Sequence, residues 1–150
     1  MTDLQTAIMI TVVTLVIVGV IIVVTMLILS RVSRTQIAKA REQFPQALAV
    51  LNANFSGLTS DPGVRLRGNG ILVITRDELY FTQWVTNREF HVPTRALQSV
   101  ELVSNFMGRW TFTPILKVNF TSEGGQAAAI GWQVRDAEGV KQQIETLIKK

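Results

Sequence analysis

Residues 64–85 read VRLRGNGILVITRDELYFTQWV, and the spacing of their apolar residues decides the fold class. Val64 and Leu66 alternate with Arg65 and Arg67, the two-residue repeat of a strand with one solvated face. Residues 71–75 begin with the unbroken apolar run Ile71-Leu72-Val73-Ile74 and read as a buried strand. Residues 79–85 form a second strand rich in aromatics: Tyr80, Phe81 and Trp84. Between the two, Arg76-Asp77-Glu78 has the composition of a hairpin turn. Gly68-Asn69-Gly70 permits positive φ and predicts a tight turn or bulge.

Downstream the same period continues. Thr86-Asn87 turns the chain, and residues 88–92 set Phe90 and Val92 against Glu89 and His91 until Pro93 ends the strand. Residues 97–103 place Val100 and Leu102 opposite Ser99 and Glu101. Residues 104–114 hold Gly108 and Pro114 and predict a longer loop, its aromatics expected to fold onto the domain's own core. Residues 115–120 alternate cleanly, residues 122–125 turn, and residues 126–132 make the last strand. Asp136 then caps a helix with Val140, Ile144, Leu147 and Ile148 on one face. Lys149 and Lys150 fall in its last turn, at the negative end of the helix dipole. Six or seven short antiparallel strands followed by one amphipathic helix predict an α+β fold. In it the sheet bends into a sandwich or partly open barrel that the helix closes.

Upstream the pattern changes. Residues 54–63 are rich in Gly, Ser, Asp and Pro and predict a turn-rich lead-in to the sheet. Residues 31–52 read as helix. Ile37, Ala40 and Phe44 recur at three- and four-residue steps, Pro45 interrupts, and PQALAVL restarts a turn or two. So thin an apolar stripe predicts a spacer, or a helix packed on the domain, ahead of one lying on lipid.

Residues 7–29, AIMITVVTLVIVGVIIVVTMLIL, contain no charge. At ~1.5 Å per residue such a helix is about 34 Å long, enough to span a hydrocarbon core of ~30 Å. Its three threonines can return their hydroxyls to carbonyls one turn back, which makes them cheap in lipid. A secretory signal would show a basic n-region, a shorter apolar core and a small-x-small cleavage site; MTDLQT and the Ser30-Arg31 exit fit none of these. A buried soluble helix would not stay apolar on every face for over six turns. Arg31, Arg34, Lys39 and Arg41 follow the span and no cation precedes it, so the positive-inside rule puts the N-terminus outside and the following domain in the cytoplasm. The expected organisation is a leader (1–6), a single-pass transmembrane helix (7–29), a basic juxtamembrane helix or linker (30–53) and one domain (54–150) at the inner or plasma membrane.

A chain of 150 residues suits one domain plus an anchor. The absence of cysteine excludes disulfide scaffolds, Cys-ligated zinc and thiol catalysis, and a single histidine, His91, excludes a multi-His metal site. All fifteen Lys and Arg lie at Arg31 or later, against ten of the eleven acidic residues, so this part carries +5. A tethered basic domain is drawn toward anionic headgroups. The carboxylate pairs Asp77-Glu78 and Asp136/Glu138 read as turn and cap, and the sequence shows no nucleotide loop and no basic stripe with exposed aromatics. The expectation is therefore a non-catalytic protein with no cofactor, no metal, no nucleic acid and no small-molecule substrate.

Several segments in this order resemble the pleckstrin-homology superfold, in its bacterial PH-like or GRAM-like branch. Gly70-Ile71-Leu72-Val73-Ile74-Thr75 with Glu78-Leu79-Tyr80-Phe81 resembles the "G-x-L-x-L-T" strand, turn and "L-x-F" of GRAM domains. Val92-Pro93 with Leu97-Gln98-Ser99-Val100 resembles the segment after it. Phe106-Met107-Gly108-Arg109 with Pro114-Ile115-Leu116-Lys117-Val118 resembles the next loop and strand, and Trp132-Gln133-Val134-Arg135-Asp136 the approach to the closing helix. The resemblance covers residues 55–150. It implies an interaction module, with the bilayer and a protein as partners, or an anionic-lipid sensor. Candidate lipid contacts are Arg31, Arg34, Lys39 and Arg41 in the juxtamembrane helix. Arg65, Arg67 and Arg76 around the glycines match the basic residues that lipid-binding relatives use, although an alternating strand equally places Arg65 and Arg67 on its solvent face. Candidate partner contacts are Phe106, Arg109, Trp110 and Phe112.

Overall fold

The computed structural model describes residues 3–61 and 67–149 and divides after Gln36 into two compact units. The first is helical. Helix α1 (Asp3–Gln43) begins in it, and the large apolar side chains of this stretch are exposed throughout. Its most apolar window has a mean hydropathy of 3.3, long and apolar enough to cross a membrane; membrane anchors and signal sequences both take this form. Thr11, Thr14 and Thr25 donate to the carbonyls of Ala7, Ile10 and Ile21 at 2.8–2.9 Å, so no hydroxyl in the span is left unbonded.

The second unit begins with the last turns of α1. The sequence predicts helix to about residue 52. Instead α1 stops at Gln43, Phe44 N–H closes on the Ala40 carbonyl at 2.9 Å, and strand β1 (Ala49–Leu58) follows. Ala, Leu and Asn in residues 47–54 favour helix or turn locally, but β1 has a neighbour on each side. Residues 49–55 pair with β2 (Gly68–Ile74), and residues 53–58 pair with β7 (Ala127–Val134), with a register shift between Phe55 and Gly57. Hydrogen bonds from two neighbours outweigh weak local preference. The folded unit therefore reaches back well before residue 54.

The seven strands form one antiparallel half-barrel in the order β4-β3-β2-β1-β7-β6-β5, with β3 (Glu78–Gln83), β4 (Glu89–Pro93), β5 (Leu97–Phe106) and β6 (Arg109–Thr121). A short 3-10 turn (Thr94–Ala96) links β4 to β5. Helix α2 (Ala137–Ile148) packs mainly on β5. Its N-cap is as read from the sequence, Asp136 Oδ1 accepting from Gly139 N–H at 3.0 Å, whereas Lys149 is the C-cap and lies beyond the last turn. Val64, Arg65, Leu66 and Lys150 lie outside the described residues.

The inner face holds the main core. Phe55 stacks on Phe81 and Phe90 with ring centroids 5.7 and 4.9 Å apart, and Trp132 closes on Phe81 at 6.0 Å. Val140 and Ile144 of α2 are buried in the same cluster. A second cluster lies on the outer face of β2 and β3. There Ile71, Val73, Tyr80 and Trp84 are covered by Ile37, Ala40 and Phe44, so the thin apolar stripe is a packing surface for the domain. Gly68-Asn69-Gly70 is no turn. It opens β2, and glycine is needed for clearance, since a Cβ at Gly70 would strike the Thr82 carbonyl and the Phe81 ring. The real turn is residues 75–77, where Thr75 Oγ1 accepts from the Asp77 and Glu78 N–H groups.

Candidate interaction surface

The stretch expected to be a loop, residues 104–114, is the end of a hairpin. Strands β5 and β6 run on to pair Asn105 with Trp110 and Phe106 with Arg109, leaving a two-residue turn at Met107-Gly108. Both turn residues have positive φ, 52° and 77°, as the twist of a two-residue hairpin demands. Below the tip the ladder skips from Val103–Ile115 to Asn105–Trp110, so residues 111–114 of β6 face Ser104 alone. Extra residues on one strand bend it away from the ladder.

The three aromatics of this hairpin part company. Phe106 is 5% exposed, packs with Ile115 and Ala129, and lies over Gly131, where a Cβ would come within 2.9 Å of its ring. Phe106, a candidate partner contact in the sequence, instead folds onto the domain. Trp110 and Phe112 do not: they are 79% and 111% exposed, with Met107 at the turn also exposed. Arg109, the residue before Trp110 in β6, forms no ion pair among the described residues. Residues 102–121 contain no Asp or Glu. At the bend the Thr113 carbonyl accepts from Thr111 Oγ1 at 2.7 Å and from Gln133 Nε2 at 3.3 Å.

The two described arginines beside β2 do not converge. Arg31, Arg34, Lys39 and Arg41 are exposed along the last turns of α1. Arg67 precedes the first residue of β2 and Arg76 follows its last, so at ~3.3 Å per residue they stand about 25 Å apart, at opposite ends of the strand. Arg65 falls outside the described residues.

Alternation along residues 88–92 puts His91 on the polar face of its strand. The β3–β4 register puts it opposite Tyr80 and one step diagonal to Glu78. Its Nδ1 lies 2.9 Å from Glu78 Oε2, its ring is 4.9 Å from that of Tyr80, and the Tyr80 hydroxyl donates to Glu89 Oε1 at 2.8 Å. Burial, aided by the Glu89 carboxylate, pushes the Tyr80 phenol above its usual range. A period-2 count of both strands could have found the pairing, but only with their register known. The imidazole is half-exposed, and the arrangement clamps edge strand β4 to β3. A cleft of about 420 Å³ lies nearby, between β4 and the β6–β7 turn, with Phe90, Val92, Phe120 and Ile130 in its wall and Arg95 and Glu123 among its lining residues. Among the described residues no three acidic or histidine side chains are placed to hold a metal ion. On β5 and β6, Lys117 and Asn119 both donate to Glu101 Oε1 at 2.8 Å and hold its carboxyl below the ordinary range.

No protein-family model matches the chain, and no curated protein matches it. Among solved structures it is similar to the C-terminal domain of an unknown protein from Leishmania infantum. The two are 13% identical with a TM-score of 0.51, over 75% of this chain and 97% of that one. At this identity the likeness is one of fold: a curled seven-strand antiparallel sheet with a C-terminal helix.

Proposed function

We propose that this chain is a membrane-tethered, PH/GRAM-like interaction module, a non-catalytic scaffold or adaptor at the cytoplasmic face of a membrane. The carrying observation is the pair Trp110 and Phe112, both largely exposed on the β5–β6 hairpin. Leaving a large apolar side chain exposed forgoes roughly 1.5–3 kcal/mol of burial, and the neighbouring Phe106 shows that the same hairpin can bury a ring when space is cleared for it. Isolated exposed apolar residues are ordinary; two large aromatics beside a methionine at one hairpin tip mark a contact surface. Strand order and the closing helix are compatible with the PH-like resemblance, whose members host many roles, so the reading rests on the surface and not on the fold.

The tether is the apolar part of α1. The cations after it (Arg31, Arg34, Lys39 and Arg41) favour the cytoplasmic side for the domain. Lipid sensing by an arginine cluster beside β2 draws less support, since Arg67 and Arg76 stand at opposite ends of that strand.

The test is photo-crosslinking in native membranes with a benzoylphenylalanine at position 110 or 112. Adducts, to protein or lipid, are expected there and not from position 85, where Val85 is equally exposed on a different turn. Failure to trap anything from the hairpin would overturn the reading. Resistance to alkaline carbonate and a cytoplasmic C-terminal reporter test the tether and its orientation separately.

A further inference from the structure

We infer that the partner of the β5–β6 hairpin tip is the bilayer itself: Trp110 and Phe112 insert into the interfacial zone of a membrane and hold the domain against it. The inference rests on the proposed function and names the partner of that same surface.

Four observations favour lipid over protein. The first is size. Trp and Phe side chains offer ~150–250 Å² each, so the two together supply about 400 Å², whereas a stable protein interface needs about 800 Å² per partner. A convex knob of that size requires a matching pocket on a protein but none on a fluid interface. The second is chemistry. Trp prefers the headgroup level, where its ring meets acyl chain and its N–H meets water. Arg109 beside it can extend its stem along the apolar zone and leave its guanidinium among phosphates.

The third observation is the cost that insertion avoids. No carboxylate would be dragged toward lipid, because residues 102–121 lack Asp and Glu. At the tip Asn105 pairs with Trp110 and Phe106 with Arg109 across the hairpin, and the bulge carbonyl of Thr113 already has two donors. An unpaired backbone group would oppose entry into an apolar medium. The fourth is proximity. The same chain carries a helix apolar enough to cross a membrane, and a covalent link to an anchor keeps a bilayer at high effective concentration. A weak two-ring contact then suffices.

The absence of cysteine makes a clean test possible. Single-cysteine variants of the full-length chain, Phe112→Cys and Val85→Cys, are labelled with a nitrobenzoxadiazole dye and reconstituted in phosphatidylcholine vesicles. Both side chains are exposed, so neither substitution disturbs packing. At position 112 a blue-shifted emission is expected, with quenching by headgroup-proximal nitroxide lipid several-fold stronger than at position 85 and protection from aqueous iodide. Adding Trp110→Ser to Phe112→Cys should reduce that lipid quenching. Identical behaviour at the two positions, with iodide reaching both, overturns insertion. If position 112 is iodide-accessible in vesicles while crosslinking in native membranes traps a protein there, insertion fails and the interaction-module reading survives. If neither lipid nor protein is found, both fail. Quenching that appears only when phosphatidylglycerol is included would overturn aromatic insertion as the driving contact and assign it to Arg109 and the other cations.

Discussion

Two pairs of aromatic side chains lie outside the main core, and the chain treats them in opposite ways. Tyr80 and Trp84 point to the outer face of β3, where Ile37, Ala40 and Phe44 cover them; Phe44 and Tyr80 rings sit 5.0 Å apart. Trp110 and Phe112 lie on the β5–β6 hairpin, and no described residue covers them. Alternation in a strand sends side chains to both faces whether or not a cover exists. The first pair has its cover in the sequence just upstream; the second has none among the described residues. An aromatic on an exposed face is thus explained by its partner, and where the chain supplies no partner, the environment must.

The sharpest way to break this comparison is Tyr80→Ala. If the outer cluster is a true second core, losing its buried ring, its contact with Phe44 and its hydrogen bond to Glu89 should cost about 3–4 kcal/mol. Denaturant unfolding of the full-length chain in mild detergent, followed by tryptophan emission, measures this. A cost under about 1 kcal/mol would mean that the cover is decorative, and the two aromatic pairs would no longer differ in kind.

That outer cluster was half legible in the sequence. The Ile37, Ala40 and Phe44 spacing announces one apolar helix side, and Tyr80 and Trp84 flank a buried strand, yet nothing in one dimension says that the two meet. The strands with clean alternation, residues 88–92 and 115–120, and the capped helix from Asp136 were readable because local pattern and tertiary need agree there. β1 was not read, although Leu51, Ala53 and Phe55 alternate with Asn52, Asn54 and Ser56 and face the core, because its Ala, Leu and Asn are weak strand formers and the pairing on either side that holds them extended is invisible in one dimension. Gly68 and Gly70 misled for a related reason: glycine serves both positive φ and close approach, and only the packed neighbours distinguish them. The hairpin tip was hidden by Met107, since methionine at φ 52° is not a turn signal. Trp110, Phe112 and Arg109 could be singled out by type, but their exposure depends on a bulge that only the β5–β6 register reveals.

A second prediction divides the hairpin internally. Phe106 is seated because Gly131 has no side chain, so Gly131→Val should unseat the ring and cost about 2 kcal/mol by overpacking. Limited proteolysis should then cut between residues 104 and 114, where the parent chain resists. If the hairpin stays resistant, Phe106 is not what anchors it.

The third concerns charge at the covered site. With its phenol raised above the ordinary range by burial and the Glu89 carboxylate, folded Tyr80 holds its proton more tightly than the unfolded chain does. Stability from the neutral phenol is therefore complete below pH 10 and declines as pH rises through the folded value. Tyr80→Phe should remove that alkaline limb and cost about 1 kcal/mol at neutral pH for the lost hydrogen bond to Glu89. An unchanged alkaline profile would assign the limb to other groups.

The smallest expected stability change carries the most about function. Trp110→Ser with Phe112→Ser removes two rings that touch solvent in the isolated chain, so unfolding free energy in detergent should move by less than about 0.5 kcal/mol. The same substitutions at the covered pair would unfold much of the domain. A variant that keeps its stability but loses its hairpin crosslinks separates holding the fold from making contact, which wild-type exposure alone cannot do. A loss of 2 kcal/mol or more would instead mean that these rings already have an intramolecular partner, and the contrast between the two aromatic pairs would disappear along with the surface built upon it.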